Sequence, residues 1–172
     1  MASASWSARF SRPAGLNSTP LVAIALGSNL GDRDAHLDYA LARLSHFLSN
    51  LRTSSRYDTR PVDVVGEQPR YLNAAVVGQT ALDVKDLFAA MQDIEQTRGR
   101  ERPYPNAPRT LDLDLLLYGD AVVSAPTLVV PHPRFRERRF VLEPLAEVAP
   151  ELVDPVTGLT IRELLDRLPP EN

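Results

Sequence analysis

The sequence contains no cysteine. Disulfides, thiolate nucleophiles and zinc–thiolate sites are therefore excluded, and nothing argues for secretion. Lysine is almost missing as well: Lys85 is the only one among 19 basic residues. Arginine makes bidentate phosphate contacts, although a compositional bias of the genome explains its dominance equally well. No apolar run approaches the ~20 residues needed to span a bilayer. The formal net charge is only −3, so the overall field does not attract nucleic acid. The expectation is a cytoplasmic monomer with neither a membrane nor a nucleic-acid partner. No G-x-G-x-x-G, P-loop lysine or H-E-x-x-H motif is present, and no Ser–His–Asp order can be read.

What is present is ordinary globular material. The chain has 172 residues, 44% hydrophobic and 24% charged, which suits one domain with a sizeable core. Residues 1–20 carry five Ser, two Arg, two Pro and no acidic residue. They are read as a disordered tail; the composition also resembles a transit peptide. Residues 21–172 form the expected domain.

Leu21–Leu26 reads as a buried strand ending in Gly27-Ser28-Asn29-Leu30-Gly31, a turn that serves either as a tight connection or as a phosphate loop. Leucines at 37, 41, 44, 48 and 51 predict an amphipathic helix. Thr53–Tyr57 and Tyr71–Thr80 read as strands joined by the loop Asp58–Arg70. Asp83 is a candidate N-cap for a helix with Val84, Leu87, Phe88, Met91 and Ile94 inward, and Gly99 suits its end. After the Pro-rich loop 100–108 comes a strand from Thr110, then a turn at Gly119-Asp120 into a possible hairpin strand, Ala121–Val123. Helices are expected around Arg138–Val148 and from Thr160, which forms a capping box with Glu163. The order strand–helix–strand–strand–helix–strand predicts an α+β fold. Its centre is a ferredoxin-like βαββαβ core with a mainly antiparallel sheet, helices packed on a face of it and extra C-terminal helices.

The chemistry concentrates in Pro108-Arg109-Thr110-Leu111-Asp112-Leu113-Asp114-Leu115-Leu116-Leu117-Tyr118. Alternation along a strand sends Leu111, Leu113, Leu115 and Leu117 into a core, and Thr110, Asp112, Asp114 and Leu116 the other way. Two carboxylates roughly 7 Å apart on one face suit one or two hard divalent cations. Without a cation or arginine partners, such a pair repels itself. Arg98, Arg100, Arg102 and Arg109 stand just before it, and Arg100 and Arg109 bracket a loop able to carry guanidinium groups onto phosphates. Eight of the 19 basic residues fall within 98–109 and 134–139. Tyr71 and Asn73 offer an aromatic face and a donor–acceptor amide, though taken alone they read first as core or edge packing. The basic, aromatic loop from Pro131 to Phe140 reads equally as a solvated loop or a site. His36 and His46 read as surface or packing residues.

These pieces together resemble the 6-hydroxymethyl-7,8-dihydropterin pyrophosphokinase family of folate biosynthesis. The motifs, in order, are Ala25–Gly31, Tyr71–Ala75, Gln92 to Glu95, Pro108–Asp114, Pro131-His132 through Phe140, and Pro144-Leu145 to Leu152. The resemblance implies transfer of the diphosphoryl group of ATP to the pterin hydroxymethyl oxygen, with release of AMP. It implies two Mg²⁺ ions on Asp112 and Asp114, and catalytic roles for Arg100 and Arg109. Gln92, Glu95, His132 and Arg138 match the nucleotide contacts, together with the two loop arginines. Asn73, Tyr71 and Phe140 match the pterin pocket, and Thr59 and Val62 match loop residues that touch the pterin through their backbone. Two stretches depart: many members carry a Trp where this chain has Pro105-Asn106-Ala107, in a loop about one residue shorter, which leaves Tyr104 as the aromatic at hand, and the loop between Asp58 and Arg70 is about one residue longer. A nucleotidyltransferase attacking the α-phosphorus, or a non-enzymatic ferredoxin-like binding module, are the competing functions.

Overall fold

The computed structural model describes residues 7–9, 19–99 and 104–171. The central sheet runs in the order β3–β5–β2–β6, built from β2 (Leu21–Ser28), β3 (Ser49–Thr53), β5 (Tyr71–Gln79) and β6 (Asp112–Tyr118). A short β4 (Tyr57–Thr59) pairs with the first residues of β5, whose later residues pair with β3. Every pairing is antiparallel. With α1 (Arg33–Leu44) and α2 (Val84–Thr97) as the connections, this is the expected βαββαβ order.

Helices cover both faces of the sheet, not one. On the first face Val22, Ile24 and Leu26 meet Leu37 and Leu44 of α1 and Leu87, Met91 and Ile94 of α2. On the second, Ala23, Ala75, Val77, Leu116 and Leu117 meet α3 (Arg139–Val148) and α4 (Ile161–Asp166) through Leu142, Leu145 and Ile161. A strand buried on both sides has apolar residues at successive positions, as Leu21–Leu26 does. Each fully buried large side chain contributes about 1.5–3 kcal/mol, so the double cover dominates the stability of the sheet.

The helix caps follow the sequence. The Asp83 carboxylate accepts from the Asp86 N–H at 2.8 Å, and Thr160 and Glu163 form the capping box. Gly99 follows α2 with φ of +83°, a left-handed conformation that costs glycine little.

Four elements differ from expectation. Helix α1 stops at Leu44 although the leucine spacing continues to 51. Leu48 remains in the first core from the connecting turn, so the spacing cannot distinguish turn from helix. Thr53–Tyr57 spans the break between β3 and β4. There the Ser54 hydroxyl accepts from the Ala75 N–H at 2.9 Å, and Glu147 of α3 accepts from the Ser55 N–H and the Tyr57 hydroxyl. Strand β7 (Val122–Ser124) pairs not with β6 but with β8 (Val129–Val130) and with β1 (Ser7–Arg9). Residues 7–9 of the expected tail are thus a strand, recruited by the open edge of that hairpin. Finally, the β2–β6 register shifts between Ala23, opposite Leu117, and Ile24, opposite Leu115. The extra residue, Leu116, breaks the alternation: Leu116 and Leu117 both enter the second core, and Tyr118 enters the first.

Candidate active site

The carboxylates of β6 lie on the second face of the sheet, beyond its apolar cover. Asp112 pairs with Gly27 and Asp114 with Ala25 on β2. The same two residues pair on their other side with Asn73 and Ala75 of β5. Two small residues in the middle strand leave a trough between the Asp pair and Asn73. A Cβ added to Gly27 would sit 3.2 Å from Asn73 Oδ1, so glycine keeps that floor open. The resulting cleft has a volume of about 300 Å³, and its walls include Thr59, Val62, Tyr71, Arg138 and Phe140. Asn73 is buried, and its Nδ2 donates to the Thr59 hydroxyl at 2.6 Å, which fixes the amide. The Arg138 guanidinium lies 5.7 Å from the Phe140 ring centre.

Arg109 donates from Nη1 to the Asp112 carboxylate at 2.7 Å, with side chains 14% and 15% exposed. Its backbone is pinned by Asn29: the Arg109 N–H donates to Asn29 Oδ1 at 2.7 Å, and the Asn29 N–H to the Arg109 carbonyl at 3.0 Å. The Gly27–Gly31 turn therefore serves here to anchor Arg109 to β2. Among the described residues the buried Nε of Arg109 has no hydrogen-bond partner, an arrangement that costs energy unless a further acceptor arrives.

His132 stands on the other side of Asp114. Its N–H donates to the carbonyl of Leu116 at 3.0 Å, so the bulge residue of β6 supports the loop that carries the imidazole. Burial, and then the charge of Arg138, lower its pKa to about 4. The ring is neutral at pH 7, and Nδ1 accepts from the Arg134 N–H at 3.1 Å. The ring proton is thereby assigned to Nε2, which faces Asp114 Oδ1 at 4.0 Å.

A second cavity of about 420 Å³ adjoins the first and shares Asp114 and His132 with it. Gln92 and Glu95 line it from α2. The Glu95 carboxylate is itself buried and accepts from the Leu113 N–H at 2.6 Å. It therefore occupies the outer edge of β6 between the two aspartates.

Of the residues expected from sequence, Asp112, Arg109, Arg138, Thr59, Val62, Tyr71, Asn73 and Phe140 meet in the first cavity, and Gln92 and Glu95 in the second, with Asp114 and His132 in both. Arg100 lies outside the described residues. Tyr104 does not line the cleft and is 52% exposed; Asn106, two residues on, lines it instead. Asn106, Arg60 and Val64 were not read from the sequence, because loop residues carry no periodicity that would reveal which way they point.

A profile of the 7,8-dihydro-6-hydroxymethylpterin-pyrophosphokinase (HPPK) family matches residues 23–150. The chain belongs to the HPPK family. A 2-amino-4-hydroxy-6-hydroxymethyldihydropteridine pyrophosphokinase of Methylorubrum extorquens is 42% identical over 149 residues, covering 86% of this chain and 92% of that protein. The folic acid synthesis protein fol1 of Pneumocystis carinii is 38% identical over 148 residues, but the chain spans only 20% of its length. Among solved structures, wild-type Plasmodium falciparum HPPK-DHPS shares the fold, with a TM-score of 0.69 and 16% identity over 88% of this chain and 45% of that one. The HPPK family is a family of diphosphotransferases, and all the motifs before Leu152 fall within or at the edge of the matched stretch.

Proposed function

We propose that residues 21–172 form one pyrophosphokinase domain. It transfers the diphosphoryl group of ATP to the hydroxymethyl oxygen of 6-hydroxymethyl-7,8-dihydropterin, for folate synthesis. The observation that carries this is the position of Asp114 and His132 in both cavities: a carboxylate strand stands at the junction of two adjoining sites, as a transfer between two substrates requires. The hydroxymethyl oxygen attacks the β-phosphorus. The bond from that phosphorus to the α,β-bridging oxygen breaks, AMP leaves with the electron pair, and the hydroxyl proton passes to solvent.

In this reading the first cavity takes the pterin. Asn73, its Nδ2 already given to Thr59, has a carbonyl oxygen and a second N–H for the heterocycle edge, and Tyr71 and Phe140 supply stacking faces. The second cavity takes the nucleotide, with Gln92 and the neutral His132 as its polar contacts and Glu95 holding β6 in place. Arg109 and Arg138 reach the phosphates between them, and Arg109 Nε gains there the acceptor it lacks. Arg100 is assigned to the same task.

The donor set suits magnesium: carboxylate oxygens, with no thiolate and with the nearby imidazole turned to present its N–H. Among the described residues no group of three or more His, Cys, Asp and Glu is gathered to hold a metal. Magnesium commonly takes one or two carboxylates and completes its shell with phosphate oxygens and water. Asp112 and Asp114 would hold two such ions, which when bound neutralise charge on the phosphate oxygens. The residues contribute positioning and charge more than covalent chemistry.

We further assign the protein to the cytoplasm as a monomer; among the described residues no helix is long and apolar enough to cross a membrane. The deciding assay mixes protein, ATP, Mg²⁺ and 6-hydroxymethyl-7,8-dihydropterin and quantifies products. AMP and pterin diphosphate in equal amounts are expected. Inorganic diphosphate in place of AMP would make the enzyme a nucleotidyltransferase.

A further inference from the structure

Three loops that are distant in sequence meet at Asp63. Its carbonyl accepts from Asn106 Nδ2 at 3.0 Å, across 43 residues. Its carboxylate accepts from Arg134 Nη2 at 2.9 Å, across 71 residues. The carbonyl of Asn106 accepts in turn from Gln68 Nε2 at 2.9 Å, and Arg134 is steadied by Glu137 at 2.6 Å. Asp63 and Asn106 have φ of +57° and +58°, a left-handed conformation that Asp and Asn adopt more readily than other side chains. The neighbours of Asp63 in the chain, Val62 and Val64, both line the first cavity. Val62 is nevertheless 57% exposed, so apolar contact alone does not hold this loop in place.

We propose that Asp63, Arg134 and Asn106 form a polar latch that holds Val62 and Val64 at the rim of the cleft and sets the residence time of the pterin. The proposal rests on the pterin assignment made above. Asp63 and Arg134 are positioning residues that do not line the cleft, whereas Asn106 both joins the latch and lines it. The side chains of Arg134 and Asp63 are 48% and 59% exposed, so their pair is weak and screened by salt. A latch of that strength opens readily enough for product to leave.

The test uses the full chain with Arg134→Gln, Asp63→Asn, the double variant of these two and Asn106→Asp; the changes at 63 and 106 keep side-chain size and tolerance of positive φ, and the change at 134 removes the charge while keeping a polar chain. Amide exchange of residues 62–66 is measured without ligand. Release of the fluorescent 6-hydroxymethyl-7,8-dihydropterin is measured with Mg²⁺ and α,β-methylene-ATP at low and high salt. Each single variant is expected to raise exchange at 62–66, and Arg134→Gln and Asp63→Asn are each expected to speed release about two- to five-fold, the range of an exposed ion pair. The double variant should release no faster than the singles, because they remove one shared contact. The salt dependence of release should shrink in Arg134→Gln, while its single-turnover transfer rate stays at the wild-type value. Unchanged exchange at 62–66 would overturn the latch, as would faster exchange with unaltered release. A wild-type protein that fails to retain the pterin would overturn the pterin assignment and, with it, the role in residence time; the ligand-free exchange would still decide whether the three loops are joined.

Discussion

The three arginines at 134, 136 and 138 occupy one basic run yet have different surroundings. Arg134 reaches Asp63 across the rim, Arg136 pairs with the buried Asp154, and Arg138 lines the cleft beside Phe140. Alternation of burial and exposure, not charge density, separates these roles, and a sequence gives charge density alone. The Asp pair was legible because a strand has period two and leucines marked the opposite face. Its importance sets the first expected outcome: Asp114→Ala lowers turnover about 10²–10³-fold, the effect of deleting one group that stabilises developing charge. Its melting temperature should stay near wild type, because removing one of two neighbouring carboxylates relieves repulsion. Steady-state kinetics and thermal melts on the same samples check both halves. Gly27 supplies the second. Gly27→Val places branched carbons where a Cβ alone already approaches Asn73 Oδ1 to 3.2 Å. The KM for the pterin should then rise about tenfold or more, since a 1.4 kcal/mol loss of binding is a factor of ten, while the KM for ATP changes little.

Among the elements, those with a strong local signal were readable and those decided by partners were not. Asp83 and Thr160 announce their helices because capping is a contact within one turn. The end of α1 and the Leu116 bulge are decided by what packs alongside, and leucine spacing carries no trace of either. Nor could it show that the 3-10 turn Phe135–Glu137 is tied to the C-terminal loop. Arg136 makes two hydrogen bonds to Asp154, at 2.6 and 2.9 Å, and the Thr157 hydroxyl and Val156 N–H complete the carboxylate's partners. Asp154 is 0% exposed. Burial alone would raise its pKa, but these bonds together hold it below its ordinary 3.8. A carboxylate with a depressed pKa stabilises the fold fully above its unfolded value, and that contribution is lost as pH falls through the folded one. The wild type should therefore lose this contribution only below about pH 4. Asp154→Asn weakens the bonds to Arg136, whose side chain is 26% exposed, and should cost about 1.5–3 kcal/mol at neutral pH. Urea melts at neutral and acid pH are expected to show the gap between wild type and variant closing at the acid end.

At the scale of the whole molecule, two cores on opposite faces of one sheet hold β6 rigid from both sides, and the site uses the part of the strand that the second core leaves uncovered. The sequence revealed the strand and the helices, but not that the first cavity would lie against the start of α3 and the second against α2, with Asp114 and His132 common to both. If those cavities belong to one catalytic unit, nucleotide and metal bind the folded chain together. A ligand at 100 times its Kd stabilises the folded state by about 2.7 kcal/mol, and about 2–4 °C of melting temperature accompanies each kcal/mol for a chain of this size. ATP with Mg²⁺ should then raise the melting temperature by about 5–10 °C. ATP with EDTA should produce a much smaller shift, because without the cation the triphosphate faces Asp112 and Asp114 directly and like charges repel. Asp114→Ala should lose most of the difference between the two conditions, whereas Asp154→Asn should melt lower throughout yet keep it. A shift independent of EDTA in the wild type would remove the aspartate pair from metal binding, even if the protein bound ATP.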